Sequence, residues 1–481
     1  MSVIGLDLGT SRVKAVLFDD DWQVVDSRAE RTEVLRPRPG WSEQDPGEVW
    51  EAARRVLAAV ACDGVSLIAV TAQGDGCWLV DGAGDPVRPA LLWNDNRAAS
   101  VIDGWNRDGT LDAAFAQHGC DGAPGLAHAQ LRWLADHEAE PLNRAATLLS
   151  CGSWVYHQLT GERALHDSEA HNPFGNARTG TYGPELWDSY GLAEYRRLLP
   201  PVVTGPQTIH RLRDGVAAQL SLPAGTPVAL APYDVVSSAI GVGAVRPGDA
   251  LAILGTTICV GSMAADPRLT RPRNGMTLPV GEPERWLIAY ATLAGTEILD
   301  WAAGLLGLPA AAELTALAAS ATSTDLPLLM PYLSPAGERA PFLDLGARGA
   351  LVGLHLGHSR ADIARAAVDG LTLAVLDCLR AAGTATSLNL SGGGARSELW
   401  SQTISDATGL PVVCPDMEET GARGAALAGT VALGHYADLA EACDAVVRAR
   451  HVHEPDAARQ QYFQDAYARL LAGRRVGAPH L

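Results

Sequence analysis

The sequence has few basic residues for its length, and this shortage restricts the partners it could have. Its 481 residues include 37 lysines and arginines against 55 aspartates and glutamates, which gives a formal net charge of −18. Nucleic acids and anionic membrane surfaces are bound through a basic footprint, so neither kind of partner is expected. A ligand that carries phosphates would have to be held locally, by backbone N–H groups, one or two cations and a metal ion.

Long apolar runs and paired cysteines are also missing. No run reaches the roughly 18–20 apolar residues that span a bilayer. The first residues enter a predicted strand without a basic leader, so we expect a cytoplasmic protein. The eight cysteines are scattered and form no C-x-x-C pair, which favours reduced thiols and argues against a zinc site. The length predicts at least two large domains with ample core.

Of what is present, the stretch Ala231-Pro-Tyr-Asp-Val-Val-Ser-Ser-Ala-Ile-Gly-Val-Gly243 carries the clearest chemistry. It follows an apolar run at 227–231 that is typical of a short buried strand, and its small residues allow a tightly packed helix. Asp234 would then lie at a strand end facing a crevice, where open α/β sheets place their chemistry. Its carboxylate could take a proton from a substrate hydroxyl. Alternatively, Asp234 only caps the helix that it precedes.

The first nineteen residues predict two strands joined by a tight turn at residues 9–11, whose glycine can take a positive φ. The N–H groups and hydroxyls of Thr10 and Ser11, together with Lys14, suit a phosphate. Asp7 beside them suits a Mg²⁺ shell. A simple hairpin with a capping aspartate would show the same pattern, so the turn alone does not identify a function.

A second stretch, 248–262, repeats this order of strand, Gly-Thr turn and strand. We interpret it as the second half of an internal duplication, although a coincidental hairpin is the alternative. An acidic strand end that opens a Gly-Thr turn resembles the start of actin-like ATPases, and this resemblance implies an α/β fold with two ribonuclease H-like (actin-like ATPase) domains around a central cleft, at 1–244 and 245–481. Each domain would offer one hairpin to the phosphates. The residues expected at the β- or γ-phosphate from the second hairpin are Gly255, Thr256 and Thr257.

Several segments resemble the FGGY carbohydrate kinases. Residues 39–50 hold the motif W-x-E-Q-D-P-x-x-x-W, in which Asp45 is predicted to cap a helix that runs through about Ala59. Residues 87–97 match a W-x-D-x-R strand and loop of the family. Residues 331–341 resemble a segment of the family's C-terminal domain, and residues 387–402 hold G-G-G-A-R-S-x-x-W-x-Q. These landmarks follow in the family's order and cover nearly the whole chain. The resemblance implies a kinase that uses ATP and Mg²⁺, with a small sugar or polyol as the other substrate.

The resemblance also implies an acceptor site in the N-terminal domain. In the family, the loop after the strand at 66–71 binds sugar hydroxyls. Gln73 and Asp75 are the candidates here, because an amide and a carboxylate both pair with hydroxyl groups. A plain Gly-Asp-Gly turn is the structural alternative. Trp93 would form an apolar wall against the carbon chain of the substrate, and we expect a structural ion pair between Asp95 and Arg97.

The nucleotide would lie mainly on the C-terminal domain. Gly337 is expected near the adenine, and the triple-glycine turn with Gly393 and Gly394 would let the backbone approach the base and ribose. The helix that starts after Ser397 would favour the α-phosphate. Asp234 would deprotonate a terminal hydroxyl for attack on the γ-phosphate, and Asp7 and Asp234 would hold Mg²⁺, partly through water.

The choice of acceptor depends on two segments. The loop Gln73-Gly-Asp-Gly76 departs from the Q-M-H-G of ketopentose kinases, and Asp75 resembles the acidic residue of the glycerol type. The polar segment 168–182, predicted to be a loop, contains F-G-x-x-R-T-x-x-Y and looks like the erythritol branch of the family. Erythritol or a similar short linear polyol is therefore favoured. L-xylulose or another ketopentose is the alternative, and a non-catalytic actin-like ATP-binding scaffold or sensor is a more distant one. A homodimer is expected because many members of the family are dimers.

Overall fold

A computed structural model describes residues 2–476 of the chain. The strands of the two principal sheets that are discussed below are β1 (Ser2–Leu8), β2 (Arg12–Phe18), β3 (Val24–Arg31), β4 (Val65–Ala72), β5 (Ile209–Arg211), β6 (Pro227–Leu230), β7 (Asp249–Leu254), β8 (Ile258–Ala264), β9 (Ser387–Ser391), β10 (Val412–Pro415) and β11 (Ala449–His453). The helices discussed below are α1 (Pro46–Val60), α2 (Cys151–Thr160), α3 (Asp167–Phe174), α4 (Asp234–Gly241), α5 (Arg360–Ala382), α6 (Glu398–Thr408) and α7 (Thr420–Ala432).

Shorter or more peripheral elements complete the fold. The other α-helices are Ala99–Arg107, Thr110–His118, Ala127–His137, Ala139–Arg144, Pro184–Ser189, Asp214–Leu220, Glu297–Leu305, Ala311–Ala319, Leu439–Val446 and Ala457–Val476, and three 3₁₀ helices are Ala193–Leu198, Gly205–Thr208 and Gly393–Arg396. The other strands are Glu43–Gln44, Trp78–Val80, Ala90–Leu91, Thr147–Leu149, Leu165–His166, Gly175–Asn176, Thr181–Tyr182, Val202–Val203, Met276–Pro279, Trp286–Ala291, Leu328–Met330 and Ala350–Val352. None of the helices described within 2–476 is long and apolar enough to cross a membrane.

The chain folds into two compact units. The first contains the chain up to Val245 together with Ala265–Leu287 and Glu419–Val446. The second contains Arg246–Ala264, Ile288–Glu418 and the chain from Val447 onwards. The first break falls one residue from the expected boundary at 244, but two later segments group with the first unit. Because these segments are distant in sequence from the rest of that unit, a single cut in the sequence does not describe the two units.

The sheet of the first unit explains how its functional residues meet. Its strand order is β5-β6-β4-β1-β2-β3. Strands β1 and β2 form the predicted antiparallel hairpin, and β4 runs parallel both to β1 and to β6. The carboxyl ends of β1, β4 and β6 therefore lie at one edge of the sheet, where open α/β sheets bind their ligands.

Helix α1 shows how local sequence signals fix an element of this unit. The Asp45 side chain caps it by accepting a hydrogen bond of 2.8 Å from the Gly47 N–H, and Pro46 occupies the first helical position. Val49 and Val56 lie on its buried face and join the core under β1 and β4. The helix extends to Val60, one residue beyond the predicted end.

The second unit repeats the arrangement of the first. Five of its strands follow one another in the order β8-β7-β9-β10-β11. Strands β7 and β8 form an antiparallel hairpin, β9 lies parallel to β7 and to β10, and β11 closes that side antiparallel to β10. In the first unit, β1 lies between its antiparallel hairpin partner and a parallel strand. In the second unit, β7 has the same two kinds of neighbour, as the internal duplication predicts.

Two local predictions are wrong. Gly9 does not lie among the described glycines of positive φ. Instead, its N–H donates to the Arg12 carbonyl at 2.9 Å, and a Cβ on Gly9 would lie only 3.1 Å from that oxygen. The segment 168–182 is not a loop, because α3 occupies its first half and the two short strands at 175–176 and 181–182 pair in its second half. The His166 ring accepts a hydrogen bond from the Ser168 N–H and so starts the helix.

Candidate active site

The three parallel strand ends of the first unit bring four carboxyl groups close together. Asp7 lies near the end of β1, Asp75 follows β4, and Asp234 follows β6. The fourth is Glu169, which lies on α3. Their proximity is reflected in their pKa values. The negative charges of Asp7 and Asp75 raise the pKa of Asp234, and those of Asp75 and Asp234 raise the pKa of Glu169.

Asp234 is the first residue of α4 and does not cap the helix. Tyr233 occupies the capping position, and no side chain makes the capping hydrogen bond. The Asp234 Oδ1 atom accepts a hydrogen bond of 2.7 Å from the N–H of its neighbour Val235. Burial, and to a lesser extent Asp7, raise the pKa of Asp234 to about 8. A carboxyl whose pKa lies near neutrality suits a general base.

Asp7 lies against the start of α7. A Cβ on Gly421 would lie 2.6 Å from Asp7 Oδ2, so only glycine lets the helix backbone approach the carboxylate this closely. Burial raises the pKa of Asp7 to about 6, Lys14 opposes this rise, and Glu419 adds to it. The Lys14 ammonium group contacts both oxygens of Glu419, at 2.8 and 2.7 Å. Glu419 was not singled out from the sequence.

Thr10 lies in a network of hydrogen bonds with two residues predicted for the acceptor site. Its hydroxyl donates to Gln73 Oε1 at 2.7 Å and accepts from Trp93 Nε1 at 2.9 Å. Gln73 Nε2 donates to Gln44 Oε1 at 2.9 Å, and Gln44 Nε2 in turn donates to the Thr10 carbonyl at 2.9 Å. Gln73 is only 4 % exposed, so its amide connects the hairpin turn to the loop around Trp93.

Asp75 and its neighbours on α3 form a polar group that the sequence indicated only in part. Asp75 has a φ of +61°, and its Oδ1 atom accepts a hydrogen bond of 3.1 Å from Asn172 Nδ2. Burial, Asp75 and Asp234 together hold the pKa of Glu169 well above its usual range. The Asn172 Oδ1 atom is buried and has no hydrogen-bond partner within the described chain. The clue to Glu169 and Asn172 was their place in the polar segment 168–182.

The expected ion pair between Asp95 and Arg97 is confirmed. Arg97 Nε and Nη2 each lie 2.9 Å from one carboxylate oxygen of Asp95, and both side chains are fully buried. Arg97 also contacts Glu43 at 2.7 Å, and its guanidinium group lies over the Trp41 ring. These buried contacts of Arg97 fix the position of the loop that follows Trp93.

The second unit presents the residues predicted for the nucleotide. The Gly255 N–H donates to the Thr257 carbonyl across the turn at 3.2 Å, and the Thr256 side chain is exposed. Gly337 is buried and has a φ of +86°. Gly393 is exposed and, with Gly394, begins a 3₁₀ helix. The Ser397 hydroxyl caps α6 by accepting a hydrogen bond from the Trp400 N–H at 3.3 Å.

The described residues fit the two cofactors that the sequence implies. Mg²⁺ prefers hard oxygen ligands. The negative charge of Asp7 raises the pKa of Asp234, and a bound cation would offset this repulsion between the two carboxylates. The backbone at Gly295 packs closely against the turn at Gly255, since a Cβ on Gly295 would lie 2.6 Å from the Gly255 carbonyl. Gly393 by contrast has an open surface, where a Cβ would meet only the tip of Arg396.

Comparison with known proteins identifies the family. The model of the FGGY family of carbohydrate kinases matches with its N-terminal domain over residues 2–241 and with its C-terminal domain over residues 250–433. The chain belongs to the FGGY family of carbohydrate kinases. Membership makes this chain an ATP-dependent carbohydrate kinase.

Relatives of this FGGY kinase act on different acceptors. The erythritol kinase of Brucella abortus (strain 2308) is 32 % identical, with 99 % of this chain and 96 % of that protein covered. The xylulose kinase of Escherichia coli (strain K12) is 31 % identical, with 96 % of each covered. The crystal structure of a "xyloylose kinase" from Brucella ovis superposes with a TM-score of 0.90 at 29 % identity, covering 99 % of each chain. These proteins support a sugar or polyol kinase with the expected two-domain fold.

Proposed function

We propose that this FGGY kinase transfers the γ-phosphate of ATP to a terminal hydroxyl of a short linear polyol, with erythritol as the favoured acceptor. The observation that carries this proposal is the polar group of Asp75, Glu169 and Asn172 next to Asp234. In it, Asp75 and the unpartnered Asn172 Oδ1 present hydrogen-bond acceptors. A polyol carries one hydroxyl donor on every carbon, so it can satisfy several such acceptors at once. The relation to the Brucella abortus erythritol kinase supports the same acceptor.

Asp234 is the proposed base. Its raised pKa lets the carboxylate accept a proton from the acceptor hydroxyl, and its place at the helix start fixes the carboxyl group relative to the backbone. Trp93 would lie along the carbon chain of the polyol. We propose that Gln73 and Thr10 act behind Trp93 and hold its indole in place through the 2.9 Å hydrogen bond.

The remaining residues would stabilise charge and hold the cofactors. We propose that Asp7 and Asp234 hold Mg²⁺, partly through water, and that this ion would neutralise charge on the phosphate oxygens when bound. Ser11, Lys14 and the backbone of the first hairpin turn would contact the phosphates from the first unit. In the second unit, Thr256 and Thr257 would contact the phosphates, whereas Gly337 and the backbone at Gly393 and Gly394 would contact the base and ribose. Ser397 would act by starting α6.

A ketopentose acceptor is the second candidate, and one observation favours it. Burial and the charges of Asp75 and Asp234 hold the pKa of Glu169 well above its usual range, which favours the protonated form of this carboxyl group. A protonated carboxyl donates a hydrogen bond, and a keto oxygen only accepts one. The xylulose kinase of Escherichia coli (strain K12), 31 % identical to this chain, points in the same direction.

An acceptor panel separates these proposals. ADP release would be measured with Mg²⁺ and ATP in the presence of erythritol, glycerol, ribitol, xylitol, and xylulose and ribulose of both hands. Strong turnover with a tetritol that is lost in Asp234→Asn supports the polyol proposal and the base. Turnover confined to a ketopentose contradicts the polyol proposal but retains the base. ATP binding without turnover on any acceptor would favour a non-catalytic scaffold or sensor.

We also propose a homodimer and a cytoplasmic location, where ATP and phosphorylatable sugars are available.

A further inference from the structure

A cluster of two histidines and a glutamate lies in the second unit, apart from the residues assigned above. His451 and His453 are two residues apart on β11, so their side chains point to the same face of the strand. Glu398 is the first residue of α6. One ligand atom from each of these three side chains lies within 4.8 Å of the other two. Imidazole and carboxylate groups at this spacing are able to hold a metal ion.

The protonation of His453 is set by Gln402. Both hydrogens of the Gln402 amide are used, since Nε2 donates to Asp406 Oδ1 and to the Glu454 carbonyl, each at 2.8 Å. The Oε1 atom therefore faces His453 Nδ1, at 3.1 Å. A carbonyl oxygen can only accept, so Nδ1 carries the proton and the lone pair of the neutral ring is on Nε2. Metal-binding histidines are oriented in this way.

The free Nε2 atom of His453 faces the cluster. The His453 side chain is 4 % exposed, and its Nε2 atom has no hydrogen-bond partner within the described residues. It lies 3.4 Å from Glu398 Oε2. In the neutral ring the Nε2 lone pair faces the carboxylate, and either a proton on Nε2 or a bound metal ion relieves the repulsion between them.

The spacing fits a transition metal. Two ligand atoms of a tetrahedral zinc ion, with bonds of about 2.0–2.1 Å, lie roughly 3.3–3.4 Å apart. Imidazole ligands suit Zn²⁺, Cu²⁺ and Ni²⁺, whereas Mg²⁺ and Ca²⁺ prefer sites made of oxygen alone. Arg450 Nη2 lies 3.6 Å from the other carboxylate oxygen of Glu398, so Oε2 remains directed at His453.

We propose that His451, His453 and Glu398 bind one divalent transition-metal ion of the zinc type, with solvent completing the coordination. The sequence argued against zinc from its cysteines, and this cluster contains none. The ion would join the edge strand β11 to the start of α6. This proposal does not depend on the substrate or on the proposed catalytic residues, because all three ligands are separate from them.

Calorimetric titration of the full chain with ZnCl₂, after treatment with a chelator, tests the site. We expect one ion to bind, and we expect His451→Ala and Glu398→Gln to weaken binding at least about 10-fold. Both side chains are exposed, so these variants should fold. Gln402→Ala should weaken binding by roughly 10- to 100-fold, as the loss of a group that orients a ligand does. The visible spectrum with Co²⁺ should show no thiolate band.

Matched controls locate the ion. His435→Ala removes an exposed histidine outside the cluster, and Cys414→Ser removes the thiol of the strand next to β11. His355→Ala tests the other group of possible ligands, Asp325, His355 and His358. All three variants should bind Zn²⁺ as the parent chain does. Absence of binding in the parent chain, unchanged binding in His451→Ala, or loss of binding in His355→Ala would each overturn the proposal.

Discussion

The Lys14 ammonium group contacts both carboxylate oxygens of Glu419, at 2.8 and 2.7 Å. Both side chains are partly buried, with 28 % and 26 % of their surfaces exposed. The same two residues act in opposite directions on Asp7, since Lys14 lowers the pKa of its carboxyl group and Glu419 raises it. Glu419 therefore opposes the ionisation of Asp7, and it would compete with a phosphate for Lys14 if this lysine contacts the phosphates as proposed.

The first prediction concerns this pair. Lys14→Met should raise the KM for ATP about 10-fold and lower kcat, because a cation near the phosphates is lost. Glu419→Gln keeps Lys14 and removes its partner, so the affinity for ATP should stay the same or increase. Steady-state kinetics with varied ATP would measure both effects. Equal losses in the two variants would show that the pair acts only as a structural ion pair.

Asp234→Asn should lower kcat by a factor on the order of 10²–10⁴, as the loss of a general base does. The matched control is Asp214→Asn. Asp214 is also the first residue of a helix without a side-chain cap, but it is exposed. Its replacement by Asn therefore reproduces the loss of charge at a helix start without touching the site. Unchanged turnover in Asp234→Asn, or an equal loss in Asp214→Asn, would remove Asp234 from the role of base.

The raised pKa of Asp234 also predicts how stability depends on pH. Its pKa rises from the ordinary value of 3.8 to about 8 on folding. The folded chain therefore binds one more proton than the unfolded chain between these values, and the stability contributed by the protonated carboxyl is lost as the pH rises to about 8. The neutral amide of Asp234→Asn avoids this loss. As the pH rises, the free energy of unfolding of Asp234→Asn should therefore increase relative to that of the parent chain, by at most about 1.4 kcal/mol per pH unit.

Urea unfolding of Asp234→Asn and of the parent chain, at several values between pH 5 and pH 9 and without metal or nucleotide, measures this difference. The advantage of the variant should level off above about pH 8. Asp214→Asn is again the control and should show no such trend. A constant difference across this range would mean that the carboxyl group ionises at its ordinary pKa in the folded chain.

The sequence predicts the elements of this fold better than it predicts their contacts. The hairpins, the strand before Asp234 and the cap at Asp45 all depend on neighbouring residues, and each was confirmed. The grouping of Ala265–Leu287 and Glu419–Val446 with the first unit depends on packing between distant segments. A Cβ on Gly424, for example, would lie 1.7 Å from the Ser237 carbonyl, which shows how closely α4 and α7 pack.

The same distinction applies to the site. Asp7 lies near the end of a predicted strand, and Asp75 and Asp234 follow predicted strands, so their common location at one edge of an open α/β sheet could be predicted from strand patterns. Glu169 comes from a helix that the sequence suggested as a loop, and Glu419 is more than 400 residues from its partner Lys14. Glu419 has no local pattern that marks it, and Glu169 is indicated only by its place in the polar segment 168–182, because the contacts of both residues arise only when the chain is folded.

The close approach of the α7 backbone to Asp7 gives the last prediction. A Cβ on Gly421 would lie 2.6 Å from Asp7 Oδ2, well inside normal contact distance, so Gly421→Ala must displace either the carboxylate or the start of α7. We expect kcat to fall about 10-fold or more and a higher Mg²⁺ concentration to be needed for half-maximal rate. Gly104→Ala is the control, since this helical glycine has open space around its Cβ position, and alanine there should stabilise the chain by roughly 0.5–1 kcal/mol without changing the rate. If Gly421→Ala retained the parent rate and Mg²⁺ dependence, the position of Asp7 at the start of α7 would not matter for catalysis.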